Sequence, residues 1–392
     1  MTERLDMKKI VARLLLCFLA SLLSLSLLAD PAWQNVVRTV AIGDVHGDYD
    51  NFFQVLRQAG IVNRRGNWIA DDTHLVQMGD LPDRGPYTGK AIELLKKLER
   101  QAERRGGRVH ALIGNHEAMN MLGDLRYVHP GEFEAFVTRN SAGLRERYYD
   151  AVVASRQAAD SEFEADAQFR AQWEAQVPLG YVEHRLTWSP EGDYGSWVLG
   201  HNAVIKIDRV LFVHGGIGPE MLNLSLEDIN TGVREELRQG EAGQFAEAEP
   251  GLATSEQGPL WYRGLASAAE SLEAAHVDAA LARFDVDHIV VGHTPGLGTI
   301  VPRFGGKVLV IDSGISGYYG GHLASLTVED GQLFNTQQGQ RLVIPVADAD
   351  PIPYFEAVAE LEPGVDALQR YLQNLRQPES AGEIPAISPS VP

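Results

Sequence analysis

The chain has 392 residues and a formal net charge of −19 at pH 7. Such an acidic surface repels phosphate backbones, which argues against a nucleic acid duplex as the partner. The single cysteine, Cys17, lies near the N-terminus, and this excludes thiolate metal sites and cysteine nucleophiles from the rest of the chain.

The N-terminus has the pattern of a secretory signal peptide. Basic residues at positions 8, 9 and 13 precede an uncharged, leucine-rich run at 14–29. The run is shorter than the roughly 20 residues that span a bilayer comfortably. We therefore predict a cleaved leader at residues 1–29 and a periplasmic or secreted protein. Leu27 lies where a cleavage site favours a small residue, so an uncleaved N-terminal anchor, the one membrane attachment that we expect, is the alternative.

Short apolar runs rich in Val, Leu and Ile recur along the chain, with the length and composition of buried strands. They lie at 36–42, 74–78, 108–113, 209–213, 288–291 and 307–311. The first two gaps between them have apolar residues at helical spacing, at 51–60 and 89–107. Strands that alternate with helices predict an α/β architecture.

The remaining segments are predicted to be mainly helix and loop. Residues 132–176 have the pattern of charged amphipathic helices, and we expect a helical insertion at about 130–180. It is either a lid over one end of the sheet or an ordinary solvated helical pair. The acidic stretch 222–257 is predicted to be loop and helix, and 365–376 a helix. The proline-rich tail at 378–392 is expected to be disordered.

Each predicted strand is followed by glycine beside a polar residue, or by a polar residue that can bind a metal. These strand ends are Gly43-Asp44, Gly79-Asp80, Gly114-Asn115, His214-Gly215-Gly216, Gly292-His293 and Asp312-Ser313-Gly314. Taken singly, each residue fits a turn or a satisfied core position. Six together favour a site at the C-terminal edge of one sheet, where ligands of α/β proteins generally bind. The glycines would let the backbone approach a ligand closely.

The chemistry of these side chains favours a pair of transition metals. Carboxylates, an amide oxygen and imidazoles, with no thiolate, suit Mn, Fe, Zn or Co rather than Ca alone. About six ligands exceed what one catalytic ion with an open position needs, and suit two ions that share a carboxylate. Two such ions stabilise the attacking and leaving oxygens of a phosphoryl displacement. The pattern therefore predicts phosphate ester hydrolysis without a covalent enzyme intermediate.

Five motifs, in order, resemble those of the calcineurin-like metallophosphoesterases: GDVHG (43–47), GDLPDRG (79–85), GNHE (114–117), HGG (214–216) and GHT (292–294). Within that superfamily, GNHEAMNMLGDLRYV (114–128) and PLWYRG (259–264) resemble the Shewanella-like branch of the phosphoprotein phosphatases. The resemblance implies a central β-sandwich flanked by helices. We expect a metallophosphoesterase domain at 36–345 that carries the helical insertion.

The resemblance also implies which residues bind the metals. The predicted ligands are Asp44, His46, Asp80, Asn115, His214 and His293. Asp80 is expected to bridge two ions of Mn, Fe or Zn, with Mn favoured. Glu117 is expected to orient ligands or to be structural, and Asp312 to close the site or to bond a ligand histidine.

Four further residues are predicted to act on the substrate. The resemblance makes His116 the general acid, and the nearby carboxylate of Asp83 would favour its protonated form. Arg84 and Arg263 are predicted to bind the phosphate group, because a guanidinium matches the geometry of phosphate oxygens.

These assignments predict a metal-dependent phosphomonoesterase in which a hydroxide held by both metals attacks phosphorus and His116 protonates the leaving oxygen. The expected substrate is a phosphorylated protein, at tyrosine or at serine and threonine. A periplasmic nucleotidase, a diadenosine polyphosphate hydrolase and a phosphatase for small esters are alternatives with the same chemistry. An inactive metal-dependent binding protein is an alternative of another class, and the presence of all predicted ligands and of the acid argues against it.

Overall fold

The computed structural model describes residues 31–240 and 250–376. The predicted leader at 1–29 and the predicted tail at 378–392 lie outside these ranges. Within them, no helix is both long enough and apolar enough to cross a membrane.

Two mixed six-stranded sheets form the centre of the fold. The first has the spatial order β12 (Gln340–Val343), β11 (Gln332–Gln337), β10 (Ala324–Glu329), β2 (Arg38–Ile42), β3 (His74–Gln77) and β4 (Arg108–Ala111). The second has the order β1 (Ala32–Trp33), β5 (Val204–Ile207), β6 (Val210–Val213), β7 (His288–Val291), β9 (Val308–Val310) and β8 (Val301–Arg303). The strands β2, β3 and β4 run parallel to one another, as do β6, β7 and β9. This confirms the predicted α/β fold and the six predicted strands.

The central strands are apolar along their whole length because both of their faces are covered. In β2, Ala41 belongs to the core cluster between the sheets. Val40 and Ile42 belong to a second cluster with the helices α1 (Tyr49–Gln58) and α2 (Thr88–Glu103). Side chains alternate between the two faces of a strand, so a strand that is buried on both faces needs a continuous apolar run.

Helices fill the segment that was predicted to be a helical insertion. After α3 (Asn115–Leu122) come α4 (Pro130–Ala135), α5 (Ser141–Ala159), α6 (Ala167–Gln176), α7 (Tyr181–Trp188) and α8 (Asp193–Val198). The helices α5 and α6 share a small cluster of buried residues formed by Tyr149, Trp173 and Val177, separate from the two main clusters. This part of the segment therefore has a core of its own.

The second half of the chain adds five helices to the described residues. They are α9 (Leu226–Gln239), α10 (Gly264–Ser267), α11 (Glu270–Phe284), α12 (Ile352–Leu361) and α13 (Asp366–Leu375). The predicted helix at 365–376 corresponds to α13. Both α12 and α13 lie beyond residue 345 and pack against the core between the sheets, through Phe355, Val358 and Leu372.

His184 in α7 should make the protein sensitive to acid. It is fully buried among the rings of Phe133, Phe136 and Trp188, and neither ring nitrogen has a hydrogen-bond partner in the described residues. Burial, with Arg185 adding to it, lowers the pKa of His184 to about 3. An unfolded chain binds this proton near pH 6.5, so acidification through the window from pH 6.5 to 3 favours the unfolded state.

We therefore expect His184→Phe to flatten the pH dependence of stability. Within that window one histidine lowers the free energy of unfolding by about 1.4 kcal/mol for each unit of acidification. Urea unfolding of both proteins between pH 4 and pH 7 would measure the difference in slope. Equal slopes would contradict a neutral, buried His184.

Candidate functional site

Loops at the C-terminal ends of the central strands bring the six predicted metal ligands together. None of them is more than 5 % exposed. They follow β2, β3, β4, β6 and β7 in turn: Asp44 and His46, Asp80, Asn115, His214 and His293. The strands run parallel within each set, so the C-terminal ends of both sets meet at this site. The prediction of a single sheet was wrong, because β2, β3 and β4 lie in one sheet and β6 and β7 in the other. Their assignment as ligands stays a prediction.

The ligand atoms form two clusters that share Asp80. In the first cluster, Nε2 of His46 and Nε2 of His116 each lie 3.8 Å from Oδ2 of Asp80. In the second, Nε2 of His214 lies 3.2 Å from Oδ1 of Asp80, and His293 completes the group. The ligand atoms of each cluster lie within 4.8 Å of one another. One carboxylate thus faces two groups of imidazoles, with one oxygen toward each.

Asn115 and Asp44 lie beside these clusters. Oδ1 of Asn115 is 2.9 Å from Nε2 of His214, next to the second cluster. Both carboxylate oxygens of Asp44 accept the backbone N–H of His293, at 3.1 Å, and Oδ2 is 3.9 Å from Nε2 of His46. The first cluster therefore contains His116, which the sequence predicted as the acid, and Asp44 lies at its margin.

The buried carboxylates repel one another. Burial, followed by the charges of Asp312 and Asp80, raises the pKa of Asp44 well above its ordinary value. Burial also raises the pKa of Asp312, to about 6, with Asp80 adding to the shift. The pKa of Asp80 is held well below its ordinary value, because the imidazoles of His214 and His116 outweigh the effect of burial. Such a group of acids favours bound cations.

The side chains present fit two metal ions. Nε2 of His293 and Oδ2 of Asp312 are buried and have no hydrogen-bond partner within the described ranges, although buried polar atoms normally have one. Burial and the neighbouring His116 lower the pKa of His46 to about 3. Burial and Arg263 lower the pKa of His293 well below its ordinary value. Both rings are therefore neutral, which is the form that binds a metal.

Two glycines show how closely the backbone approaches the carboxylates. A Cβ atom at Gly292 would lie 2.6 Å from Oδ1 of Asp44. A Cβ atom at Gly114 would collide with Oδ1 of Asp80. Any other residue at these two positions would displace a carboxylate, which explains the glycine before Asn115 and the glycine before His293.

Neighbouring groups orient the predicted ligands. The Nδ1–H of His214 donates to the backbone carbonyl of Met78 at 2.8 Å, and the Nδ1–H of His46 donates to that of Pro82 at 3.3 Å. Nε2 of each ring then faces Asp80, an arrangement that is usual around metal sites. These carbonyls carry no sequence signal, so sequence reasoning missed them.

Glu117 holds the loop that carries Asp80. Its carboxylate accepts the backbone N–H groups of Asp80 at 2.9 Å, Leu81 at 2.8 Å and Gly114 at 2.8 Å. Glu117 thus contacts backbone rather than a ligand side chain.

Asp312 likewise contacts backbone. Its Oδ1 accepts the N–H of Gly314 at 3.1 Å, and the described residues show no hydrogen bond from Asp312 to a ligand histidine.

His116 and Asp83 form a buried pair next to the clusters. Nδ1 of His116 lies 2.5 Å from Oδ2 of Asp83, and the other oxygen of Asp83 accepts from Asn120 at 3.0 Å. Burial alone would lower the pKa of His116, but the carboxylates of Asp80 and Asp83 raise it above its ordinary value. His116 therefore holds a proton that it can donate. Sequence reasoning missed Asn120, although its i+4 spacing from His116 on α3 places both on one helix face.

The two predicted phosphate-binding arginines also border the site. Arg84 lies between Tyr127 and Tyr318, with its guanidinium carbon 3.9 and 4.9 Å from the ring centres, and donates to the Tyr318 hydroxyl at 3.2 Å. Arg263 donates to the carbonyl of His293 and to the hydroxyl of Thr294, both at 3.0 Å. Each arginine is thus held in place by neighbouring groups.

Backbone strain concentrates at this site. Thirteen described residues other than glycine have positive φ, and five of them are predicted site residues: His46, Asp80, Asp83, Arg84 and His293. Residues with a side chain rarely adopt this conformation, and it clusters where function demands a particular geometry.

The model of the calcineurin-like phosphoesterase family matches residues 37–297. This chain belongs to the calcineurin-like phosphoesterase family. It is therefore a metallophosphoesterase, a hydrolase that depends on metal, and the two His/Asp clusters that share Asp80 are typical of the two-metal site of this family.

Similar proteins place this phosphoesterase among phosphatases. It is 34% identical to an uncharacterized protein of Schizosaccharomyces pombe over 74% of this chain and 76% of that protein. Shewanella-like protein phosphatase 2 of Arabidopsis thaliana is 29% identical over 73% of this chain and 76% of its own length. The crystal structure of a cold-active protein-tyrosine phosphatase from a psychrophilic Shewanella species has 29% identity and a TM-score of 0.62, covering 81% of this chain and 82% of that one.

Proposed function

We propose that this phosphoesterase is a protein phosphatase that prefers phosphotyrosine. The observation that carries the phosphatase chemistry is a carboxylate shared by two His/Asp clusters, beside a short His116–Asp83 hydrogen bond. The names of the similar proteins from Arabidopsis and Shewanella, a protein phosphatase and a protein-tyrosine phosphatase, support it.

The proposed metal centre holds two ions, with Mn favoured over Fe and Zn. Its proposed ligands are Asp44, His46, Asp80, Asn115, His214 and His293. When bound, the ions would lower the pKa of a water molecule and neutralise charge on the phosphoryl oxygens.

The other steps belong to side chains of the chain itself. Arg84 and Arg263 would donate to the phosphate oxygens and orient the ester. His116 would pass its Nε2 proton to the leaving oxygen, while Asp83 keeps the ring oriented through Nδ1 and stabilises its protonated form. His116 and Asp83 are buried and held by their mutual hydrogen bond, which reduces the reorganisation that the transition state requires.

Tyrosine rings around Arg84 support the preference for phosphotyrosine. Tyr127 and Tyr318 lie on the two sides of its guanidinium. The ring centre of Tyr319 is 5.1 Å from that of His46, and the ring centre of Tyr127 is 5.4 Å from that of His116. The aromatic ring of phosphotyrosine would pack against these rings, and the short side chain of phosphoserine would not.

Tyr318→Ala should therefore lower the preference for phosphotyrosine. Loss of one aromatic contact should reduce the ratio of kcat/KM for a phosphotyrosine peptide to that for a phosphoserine peptide by about 2- to 10-fold. Tyr318→Phe, which keeps the ring and removes the hydroxyl, is the matched control and should keep the ratio. An unchanged ratio in the alanine variant would show that this ring does not contact the substrate.

A substrate panel tests the function as a whole. The chain without residues 1–29 should hydrolyse phosphotyrosine and phosphoserine peptides and p-nitrophenyl phosphate in the presence of Mn, and lose turnover after chelation. Faster turnover of nucleotides than of peptides would favour a nucleotidase instead. No turnover with Mn, Fe or Zn would favour a binding protein.

Export to the periplasm is a further proposal, supported by the uncharged run at 14–29 behind basic residues. Sequencing the N-terminus of the protein recovered from its native host would test it. A chain that begins after residue 29 supports a cleaved leader, and one that retains residues 1–29 supports an anchor.

A further inference from the structure

A carboxyl group of the helical segment, which comprises residues 127–198 and the helices α4 to α8, contacts the loop that carries Asp83. Glu132 lies in α4 and is 3 % exposed. Its Oε1 accepts the backbone N–H of Asp83 at 3.3 Å and also the hydroxyl of Thr88. Glu132 lies outside the five motifs quoted above, 15 positions after the GNHE sequence.

The loop that Glu132 contacts has an unfavourable backbone conformation. Asp83 and Arg84 have φ values of 73° and 66°, in the left-handed region that residues with side chains disfavour. Such a conformation persists only where surrounding contacts hold it. Asp83 has to present its carboxylate to His116, and Arg84 its guanidinium to the phosphate.

The start of the helical segment supplies these contacts. The N–H of Arg84 donates to the carbonyl of Tyr127 at 3.0 Å, and the N–H of Asp83 donates to Glu132. A Cβ atom at Gly131 would lie 2.7 Å from Cβ of Pro86, so the two segments touch. Residues 127–132 thus pack along the loop from Asp83 to Pro86.

The same segment also contacts the helix that carries His116. Arg185 of α7 donates to the backbone carbonyls of Asn120 and Met121, at the C-terminal end of α3. Carbonyls in the last turn of a helix have no partner within the helix, and a cation is favourable there. Groups from the helical segment therefore form hydrogen bonds both to the backbone of Asp83 and to the helix that carries His116.

We infer that Glu132 is a positioning residue, which holds the Asp83–Arg84 loop so that Asp83 orients His116 for proton donation. The inference rests on the proposed function, since it assumes that His116 is the acid. It gives the helical segment a role in holding the catalytic loop.

The surroundings of Glu132 explain how a carboxyl group can do this without disturbing Asp83. Burial, with the charge of Asp83 adding to it, raises the pKa of Glu132 to about 8. The group is therefore largely neutral at pH 7 and adds little negative charge next to the pair. Oε1 accepts both hydrogen bonds, and Oε2 lies 4.0 Å from Nε2 of the buried His184.

This chemistry defines the variants. Glu132→Gln keeps a neutral side chain with an acceptor oxygen at the same position. Glu132→Leu keeps a similar volume and has no acceptor, so the N–H of Asp83 and the hydroxyl of Thr88 lose their partner. Glu134→Leu, at an exposed position of the same helix, is the matched control.

Leaving-group dependence separates positioning from a loss of folded protein. A phosphoserine peptide needs a proton on its leaving oxygen, and p-nitrophenyl phosphate does not. Glu132→Leu should lower kcat for the peptide by about 10- to 100-fold, the cost of a displaced catalytic group. It should lower kcat for p-nitrophenyl phosphate by less than about 3-fold, because that ester gains little from the acid. KM should rise for both substrates, since Arg84 shares the loop.

The remaining variants complete the test. Glu132→Gln and Glu134→Leu should keep kcat for the peptide within about 3-fold of the parent, as expected when a hydrogen-bond acceptor is preserved or untouched. Combined with His116→Ala, Glu132→Leu should cause no further loss on the peptide, since groups that act as a unit are not additive. If Glu132→Leu does not fold, Glu132→Asp, in which the carboxyl group is withdrawn by one methylene, provides the same comparison of substrates.

Equal losses of kcat on both substrates, parental kcat in Glu132→Leu, or a full further loss in the double variant would each overturn the inference. The proposed function fails separately. It fails if the parent hydrolyses neither substrate or if His116→Ala keeps parental turnover of the peptide. If His116→Ala loses turnover of the peptide alone and Glu132→Leu does not, the positioning role of Glu132 is wrong and the proposed function stands.

Discussion

Asp80→Asn is expected to lower the turnover of every phosphate ester by more than about 100-fold, because loss of even an outer partner of a metal site costs about 10- to 100-fold. Among the described residues, Asp80 is the side chain that the two His/Asp clusters have in common. Its oxygens lie 3.2 Å from Nε2 of His214 and 3.8 Å from Nε2 of His46. Asparagine has the same size and keeps one oxygen, so it removes the negative charge and the second oxygen donor with little change in packing.

The metal content of the purified variant would show the cause of the loss. After incubation with Mn and dialysis, the parent should retain more metal per chain than Asp80→Asn does, as measured by inductively coupled plasma mass spectrometry. Asp72→Asn is the matched control, since Asp72 is exposed and lies just before the same strand, β3. Metal-stimulated turnover above about one tenth of the parental rate in Asp80→Asn would contradict a bridging role, given the cost expected for a ligand.

The predicted metal ligands could be recognised from sequence because each of them follows a strand. The strands are buried on both faces and have long apolar runs, so their ends are visible in the sequence. A residue such as Asp80 comes directly after a run and a glycine. Parallel strands then bring residues that are far apart in the chain, such as Asp44 and His293, to one edge of the sheets.

Six of the twelve strands in the described residues were not predicted, and two of them show why. The strand β11 has the sequence QLFNTQ, in which Asn335 and Gln337 are buried and bonded to Thr299 and Glu362. Buried amides are tolerated in a core when they have hydrogen-bond partners, but in the sequence they count as polar residues and hide the strand. The strand β1 has two residues, too few for any periodicity. Length and local polarity, rather than fold class, limited these predictions.

Groups that support the site from a distance were also missed. Glu132 lies 49 positions from Asp83, and Tyr318 lies 234 positions from Arg84. Each has an ordinary local sequence, and its contact arises when loops of different strands meet. One sequence contains no signal for such a contact, whereas the i+4 spacing of Asn120 from His116 is local and was available.

His116→Ala is expected to affect substrates according to their leaving groups. A general acid contributes about 10²- to 10⁴-fold, and kcat for a phosphoserine peptide should fall by that amount. Turnover of p-nitrophenyl phosphate should fall by less than about 10-fold, since nitrophenolate leaves without a proton and gains little from an acid. Asp83→Asn should act in the same direction, because it removes a carboxylate that raises the pKa of His116. In this variant a smaller fraction of His116 is protonated at high pH, so the loss of kcat for the peptide should increase as the pH rises.

The same comparison decides between two roles for His116. Its Nε2 atom lies 3.8 Å from Oδ2 of Asp80, in the cluster with His46, so it has the position of a ligand as well as that of an acid. If His116 is a ligand, alanine should lower both the metal content and the turnover of the two substrates by similar factors. If His116 is the acid, the metal content should stay at the parental value, and only the turnover of the ester with the poor leaving group should fall. The bond from Nδ1 of His116 to Asp83 at 2.5 Å fits both roles, because a carboxylate on Nδ1 orients the ring of a metal ligand and also stabilises the charged form of an acid. Metal content and leaving-group dependence, measured on the same variant, therefore separate the two roles.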